Sequence, residues 1–135
     1  MKHVFNGNFS LTNLEIFFKE FSLNTPFPHF VIENFLNEDS ANKVMNNFEI
    51  TKKWTNLSLV NNYKKFLLND RESMDINCNE IIEELGSKEF IENLSRCTGF
   101  KNMFLDKSLV GGGLQQSLNG GSLNIHTDFT SHIIK

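Results

Sequence analysis

The sequence predicts an α+β fold: helices fill the first hundred residues, and strands begin after Gly99. Two patterns carry that expectation. Between Leu14 and Cys97 apolar side chains return every three or four positions, which is the repeat of one helix face. After Gly99 the repeat gives way to short apolar runs and an alternating stretch punctuated by glycines, the pattern of strands and turns. At 135 residues the chain suits a single domain. Its expected division is a helical support region over 1–100 and a strand region over 101–135.

The elements follow in order. Thr12-Asn13-Leu14-Glu15 has the form of a capping box, and Leu14, Phe17, Phe18 and Phe21 give the first helix an apolar stripe. Pro26 and Pro28 interrupt the pattern, and Phe30-Val31-Ile32 reads as a short strand. Asn37 to Ser40 offer capping side chains to a second helix, with Ala41, Val44, Met45 and Phe48 inward and its end near residue 48. Trp54 to Asn69 reads as a strand followed by a loop. A third helix over 74–85 turns Cys78, Ile81, Ile82 and Leu85 inward, with Gly86 beyond its end. Ser87 caps a fourth, carrying Phe90, Ile91, Leu94 and Cys97, and Gly99 stops it. Met103-Phe104-Leu105 and Leu109-Val110 look like strands, as does Leu114 to Ser117 after the glycines at 111–113. Asn119-Gly120-Gly121 reads as a hairpin turn, because Asn and Gly accept positive φ, and Ser122 to Thr130 as the returning strand.

Composition narrows the function classes. The net charge is −3, so no basic field points to nucleic acid. Fourteen of the sixteen aromatic residues are Phe, which buries apolar area without a polar demand, so most of them belong to the core. Cys78 and Cys97 lack metal-ligand spacing and read as reduced thiols packed on helices. No apolar run has the length of a membrane span, and residues 1–7 lack the apolar stretch of a signal peptide. The expectation is a cytoplasmic protein without membrane contact. The sequence sets no oligomeric state.

The stretch that carries chemistry lies in the returning strand. Alternation places Leu123, Ile125, Thr127 and Phe129 on one face, and Asn124, His126 and Asp128 on the other. An imidazole and a carboxylate two positions apart, roughly 7 Å at Cα, then reach toward one metal ion. Two histidines and a carboxylate on one face of an octahedron, with the other positions open, form the site of non-haem Fe(II) oxygenases. By itself His-x-Asp is a short pattern that composition also produces by chance, and the plain alternative is a surface strand with two polar residues facing water.

The surrounding residues tip the balance. The run Gly111-Gly112-Gly113-Leu114-Gln115-Gln116, then Asn119-Gly120-Gly121, then Leu123-Asn124-Ile125-His126-Thr127-Asp128-Phe129 resembles the iron-binding segment of prolyl-4-hydroxylase-like Fe(II)/2-oxoglutarate-dependent dioxygenases. Pro26 to Leu36 is similar to the segment many of them carry ahead of their first long helix, and Ser87 to Gly99 to the helix before their barrel. The resemblance covers most of residues 25–132 and is specific around 111–129.

That resemblance implies a double-stranded β-helix, a jelly-roll or cupin-like fold of about eight strands with helices outside, of which this chain encodes the opening part. It implies an oxidoreductase in which His126 and Asp128 hold Fe(II) and 2-oxoglutarate is the co-substrate. O₂ is consumed, ascorbate accompanies the iron as reductant, and a small-molecule or peptidyl substrate is hydroxylated. Relatives often place a Tyr nine residues before the first iron histidine to bond the co-substrate; Ser117 stands there, and Gln115 or Ser117 is the candidate for that contact. The second histidine and the basic anchor of 2-oxoglutarate belong to later strands, so the expectation is an incomplete chain that is inactive alone. His132 has the right parity for a third ligand, but six extended residues put it about 20 Å from His126 unless Thr130-Ser131 turns sharply. The rival readings are a cupin-like metal-binding protein without oxygenase activity, and a metal-free interaction fragment.

Overall fold

The computed structural model describes residues 4–6, 13–50, 53–57, 62–110 and 112–126. The described fold is α+β, with four helices and a three-stranded antiparallel sheet. The helices are α1 (Leu14–Leu23), α2 (Glu38–Ile50), α3 (Ile76–Leu85) and α4 (Lys88–Thr98). The strands are β1 (Thr55–Asn56), β2 (Asn62–Leu68) and β3 (Leu114–Leu123), in the spatial order β1-β2-β3. They belong to two compact units. One takes its residues from 1–51 and 74–107 and holds every helix; the other takes 52–73 and 108–135 and holds the sheet.

The helical unit is organised around Leu14, Phe17 and Cys97, all buried. Phe30, Ile32, Phe35, Phe90 and Leu94 pack against them. Cys97 has no exposed surface, and burial holds its thiol above the ordinary range. Cys78 is also buried, and both cysteines are free thiols. Aromatic pairs knit the unit together: Phe17 to Phe30 at 5.2 Å, Phe5 stacked on Phe35 at 4.3 Å, and Phe90 within 6 Å of both of the latter. These contacts hold Phe30 to Ile32 as packed coil instead of the expected strand; the nearest extended pairing is the single bridge between Phe5 and Leu36. Two members of the expected stripes face outward, Phe18 at 50% exposure and Met45 at 59%. Each lies one position beyond an inward residue, at the margin of an apolar stripe narrower than the spacing suggests.

Local capping explains the helix starts. Asn37 Oδ1 accepts from Ser40 N at 2.8 Å ahead of α2, and Ser87 Oγ accepts from Phe90 N at 3.2 Å ahead of α4. Asp75 caps α3, with its carboxylate accepting from Asn77 N at 2.8 Å. Gly99 ends α4 in the left-handed conformation, φ 75°. For α1 the residue before the helix is Asn13, whose side chain makes no capping bond; Thr12 lies outside the described residues.

Residues 103–105 and 109–110, expected as strands, form no ladder. Short apolar runs fit packed coil as well as strand, and here Leu109 is buried at φ 49°, a backbone angle no strand adopts. Among the described residues no helix is long and apolar enough to cross a membrane.

The α3 cap gives a pH-dependent prediction. Burial pushes the Asp75 carboxyl up, but hydrogen bonds from the Asn77 side chain and backbone, Asn47 and the Ile76 backbone outweigh it, so its pKa lies below the usual carboxylate value. A depressed folded pKa means stabilisation that is present above the unfolded pKa and lost as pH falls through the folded one. Asp75→Ala should cost about 1 kcal/mol near neutrality in urea denaturation. That difference should shrink as the solution is acidified below pH about 4. Asp75→Asn, which caps without a charge, should lack this dependence. Hydrogen exchange supplies a second check: amides of β3, whose residues are mostly exposed, should exchange faster than those of α1 and α4.

Candidate functional site

The sheet begins from the alternation in β2. Phe66 and Leu68 pair with Gln116 and Leu114 across the antiparallel ladder, so these four rise from one face, and Leu68 is 3% exposed. Lys65 pairs with Ser117 and Leu67 with Gln115, which puts Lys65, Ser117 and Gln115 together on the opposite face. Both residues expected to meet a co-substrate, Gln115 and Ser117, therefore share a face with a lysine that sequence reading did not single out. The alternation of Lys65 with Phe66 and Leu68 was its only signal, and it became meaningful once the register with β3 was known.

Beyond Ser117 the ladder is irregular. Between the pairs Lys65–Ser117 and Tyr63–Ser122, β3 advances five residues while β2 advances two. The surplus is absorbed as a bulge opposite Lys64, which takes φ 53°, with Gly120 at φ 76°. Lys64 Nζ donates to the Asn119 carbonyl at 3.1 Å and ties the bulge to β2. Asn119-Gly120-Gly121 is thus no hairpin turn. Both flanking segments pair with β2, so β3 stays one strand from Leu114 to Leu123. A recess of about 360 Å³ opens at this irregularity, lined by Lys65, Gln115, Ser117, Gly121, Ser122 and Leu123 among others.

His126 lies three residues past the end of β3 and is exposed. The expected extended run to Thr130 is not seen in its described part, since Asn124, Ile125 and His126 leave the ladder. Ile125, expected to alternate with His126 onto an apolar face, is fully exposed. The bulge shifts the strand's parity, and among the described residues the last pair of the ladder is Asn62 with Leu123. His126 Nδ1 lies 2.7 Å from the Asn124 carbonyl. A carbonyl only accepts, so Nδ1 carries the proton in this bond and the neutral ring has its lone pair on Nε2. Asp128 and His132 lie outside the described residues, as does His3. His29 belongs to the helical unit, half-buried, with Nδ1 bonded to the Phe27 carbonyl at 2.9 Å. Among the described residues no three His, Cys, Asp or Glu side chains converge on a common point.

No protein-family model matches the chain, and no curated protein matches it. The donor set at 126 and 128, a borderline imidazole nitrogen with a hard carboxylate, is one that ferrous iron accepts. The bond to the Asn124 carbonyl engages Nδ1, the ring nitrogen nearer the backbone.

Two glycines with positive φ, one just ahead of β3 and one in the bulge, predict a graded response to replacement. At Gly113, φ 96°, an added Cβ would sit 2.5 Å from the Leu68 carbonyl oxygen. At Gly120, φ 76°, it would meet only the flexible end of Lys64 at 3.5 Å. Gly120→Ala should cost about 1–2 kcal/mol in chemical denaturation, the left-handed penalty alone. Gly113→Ala should cost more and should perturb the amide signals of Leu68 and Asn69.

Proposed function

We propose that this chain supplies the His-x-Asp pair of an Fe(II)/2-oxoglutarate-dependent dioxygenase, with His126 and Asp128 as iron ligands. The reading rests on the run from Gly111 to Phe129, whose glycines, glutamines and His-x-Asp resemble the iron-binding segment of the prolyl-4-hydroxylase-like enzymes. Under the same reading β1, β2 and β3 are opening strands of a double-stranded β-helix. The antiparallel pairing and the delivery of His126 from the end of a strand support it.

The residues have separable tasks. His126 presents Nε2 while its Nδ1–H is held by the Asn124 carbonyl, which limits rotation of the ring. Asp128 adds a negative charge that offsets part of the metal's. Gln115 and Ser117, side by side on one face of β3, offer an amide and a hydroxyl to a carboxylate co-substrate. When bound, iron with 2-oxoglutarate supplies O₂-dependent hydroxylation coupled to decarboxylation of the co-substrate to succinate. A small molecule or a peptide is the substrate class, and ascorbate is the reductant to include in assays.

Anaerobic titration tests the assignment. Fe(II) should bind the wild-type chain with modest affinity, because two ligands leave water to complete the shell. Binding should be lost in both His126→Ala and Asp128→Ala, and 2-oxoglutarate should change the visible absorption of the bound iron. Equal Fe(II) binding by all three proteins would overturn the ligand assignment. Metal binding that depends on both residues but is indifferent to 2-oxoglutarate would replace the oxygenase reading with the cupin-like one.

A further inference from the structure

We propose that Asn119-Gly120 is a self-modifying site, at which the chain deamidates within the β2–β3 bulge with Lys64 as the activating cation. Neither His126 nor a metal takes part, so the site stands apart from the iron reading.

The reaction needs only the chain and water. The Gly120 nitrogen gives up its proton to solvent and attacks Cγ of Asn119. A bond from that nitrogen to Cγ forms, the Cγ–Nδ2 bond breaks, and Nδ2 takes a proton from solvent and leaves as ammonia. Water then opens the succinimide ring. Attack at Cγ yields aspartate, and attack at the backbone carbonyl carbon yields isoaspartate, which carries an extra methylene in the main chain.

The bulge supplies what this closure requires. Residues 118–121 lie between the pairs Lys65–Ser117 and Tyr63–Ser122, outside the register of the ladder. No described strand lies on the other side of β3, so the backbone there is not clamped from that edge. The Asn119 side chain is exposed and makes no hydrogen bond among the described residues, which leaves Cγ free to turn toward the main chain. Gly120 has no Cβ to screen its nitrogen, and its φ of 76° is one that glycine adopts at little cost. Asn124 is the contrast. It is exposed beyond the ladder, but the nitrogen that follows it belongs to the branched Ile125.

Lys64 adds the electrostatic part. Its Nζ donates to the Asn119 carbonyl at 3.1 Å, and that oxygen belongs to the same peptide unit whose nitrogen must attack. Loss of the Gly120 proton puts negative charge on this peptide, and resonance carries much of it to the oxygen. An ammonium placed there stabilises the charge as it develops. Either product sets a new carboxylate close to the same ammonium, so the modification acts on the contact that ties β3 to β2.

Peptide mapping by mass spectrometry tests the site on the whole chain, aged folded and aged in guanidinium chloride. The folded chain should convert Asn119 at least as fast as the denatured one, with aspartate and isoaspartate both appearing, while Asn124 stays intact. Lys64→Gln should slow Asn119 several-fold in the folded chain and leave Asn6-Gly7, the other such dipeptide, at its own rate. Lys64→Arg, which keeps the charge, should restore the wild-type rate. In guanidinium chloride all three proteins should react alike, because the contact to Lys64 is gone. Faster conversion of the denatured wild type would overturn the proposal, since the fold would then protect the site, and that comparison depends on no variant. Equal rates in folded wild type and folded Lys64→Gln would overturn it as well.

Discussion

The pairing of β3 with β2 is the constraint from which the candidate site follows. One seven-residue strand must satisfy ten residues opposite it, and a uniform ladder cannot do so. The mismatch collects at a single place, where the backbone takes positive φ on both strands, at Lys64 and at Gly120. The Lys64 ammonium, bonded to the Asn119 carbonyl, supplies a partner for an oxygen that the ladder leaves over. The register on either side of the bulge then decides which polar residues share a face. Lys65, Gln115 and Ser117 meet for that reason, although Lys65 lies some fifty positions from the other two.

The helical unit depends on a different principle. Its centre is a sulfur and two apolar side chains, Cys97 against Leu14 and Phe17, surrounded by phenylalanines whose rings meet stacked, tilted or edge-on. The phenylalanine side chain carries no hydrogen-bonding group, so this packing needs no polar partner, and cap residues satisfy the starts of α2, α3 and α4 locally. That division of labour separates apolar packing in one unit from polar, bulged pairing in the other. The residues with chemistry to offer concentrate in the second.

The same division explains what could be read from the sequence. Helices α2, α3 and α4 were legible because their signals are local: an Asn, Asp or Ser at the start, a three-to-four repeat, and a glycine after α3 and α4. Buried Cys78 and Cys97 followed from the same stripes. The sheet was less legible, since a strand is defined by its partner. Asn119-Gly120 satisfied every local condition for a hairpin, and only the presence of β2 beside both flanks turns it into a bulge. Runs such as Phe30-Val31-Ile32 and Met103-Phe104-Leu105 have the composition of strands but join no ladder: Phe30 and Ile32 pack on the helical core instead, and Phe104 is exposed. For the site, the face shared by Gln115 and Ser117 could be counted from alternation, whereas Lys65 could not be joined to them without the register.

The bulge also bears on how a metal would be held under the proposed reading. Counting alternation from Leu114 assigns His126 to a face only if every intervening residue keeps the period of two, and the bulge breaks that count between Ser117 and Ser122. The orientation of His126 is set instead within its own tripeptide, by the bond from Nδ1 to the Asn124 carbonyl. A ligand fixed by its own backbone tolerates irregularity upstream, because the ring is aimed by a contact two residues away. His126 lies past the β2–β3 ladder, so the ladder itself does not hold it. Were iron bound there as proposed, its affinity would have to come from the other members of the ligand set, with Asp128 and a third donor deciding whether it stays.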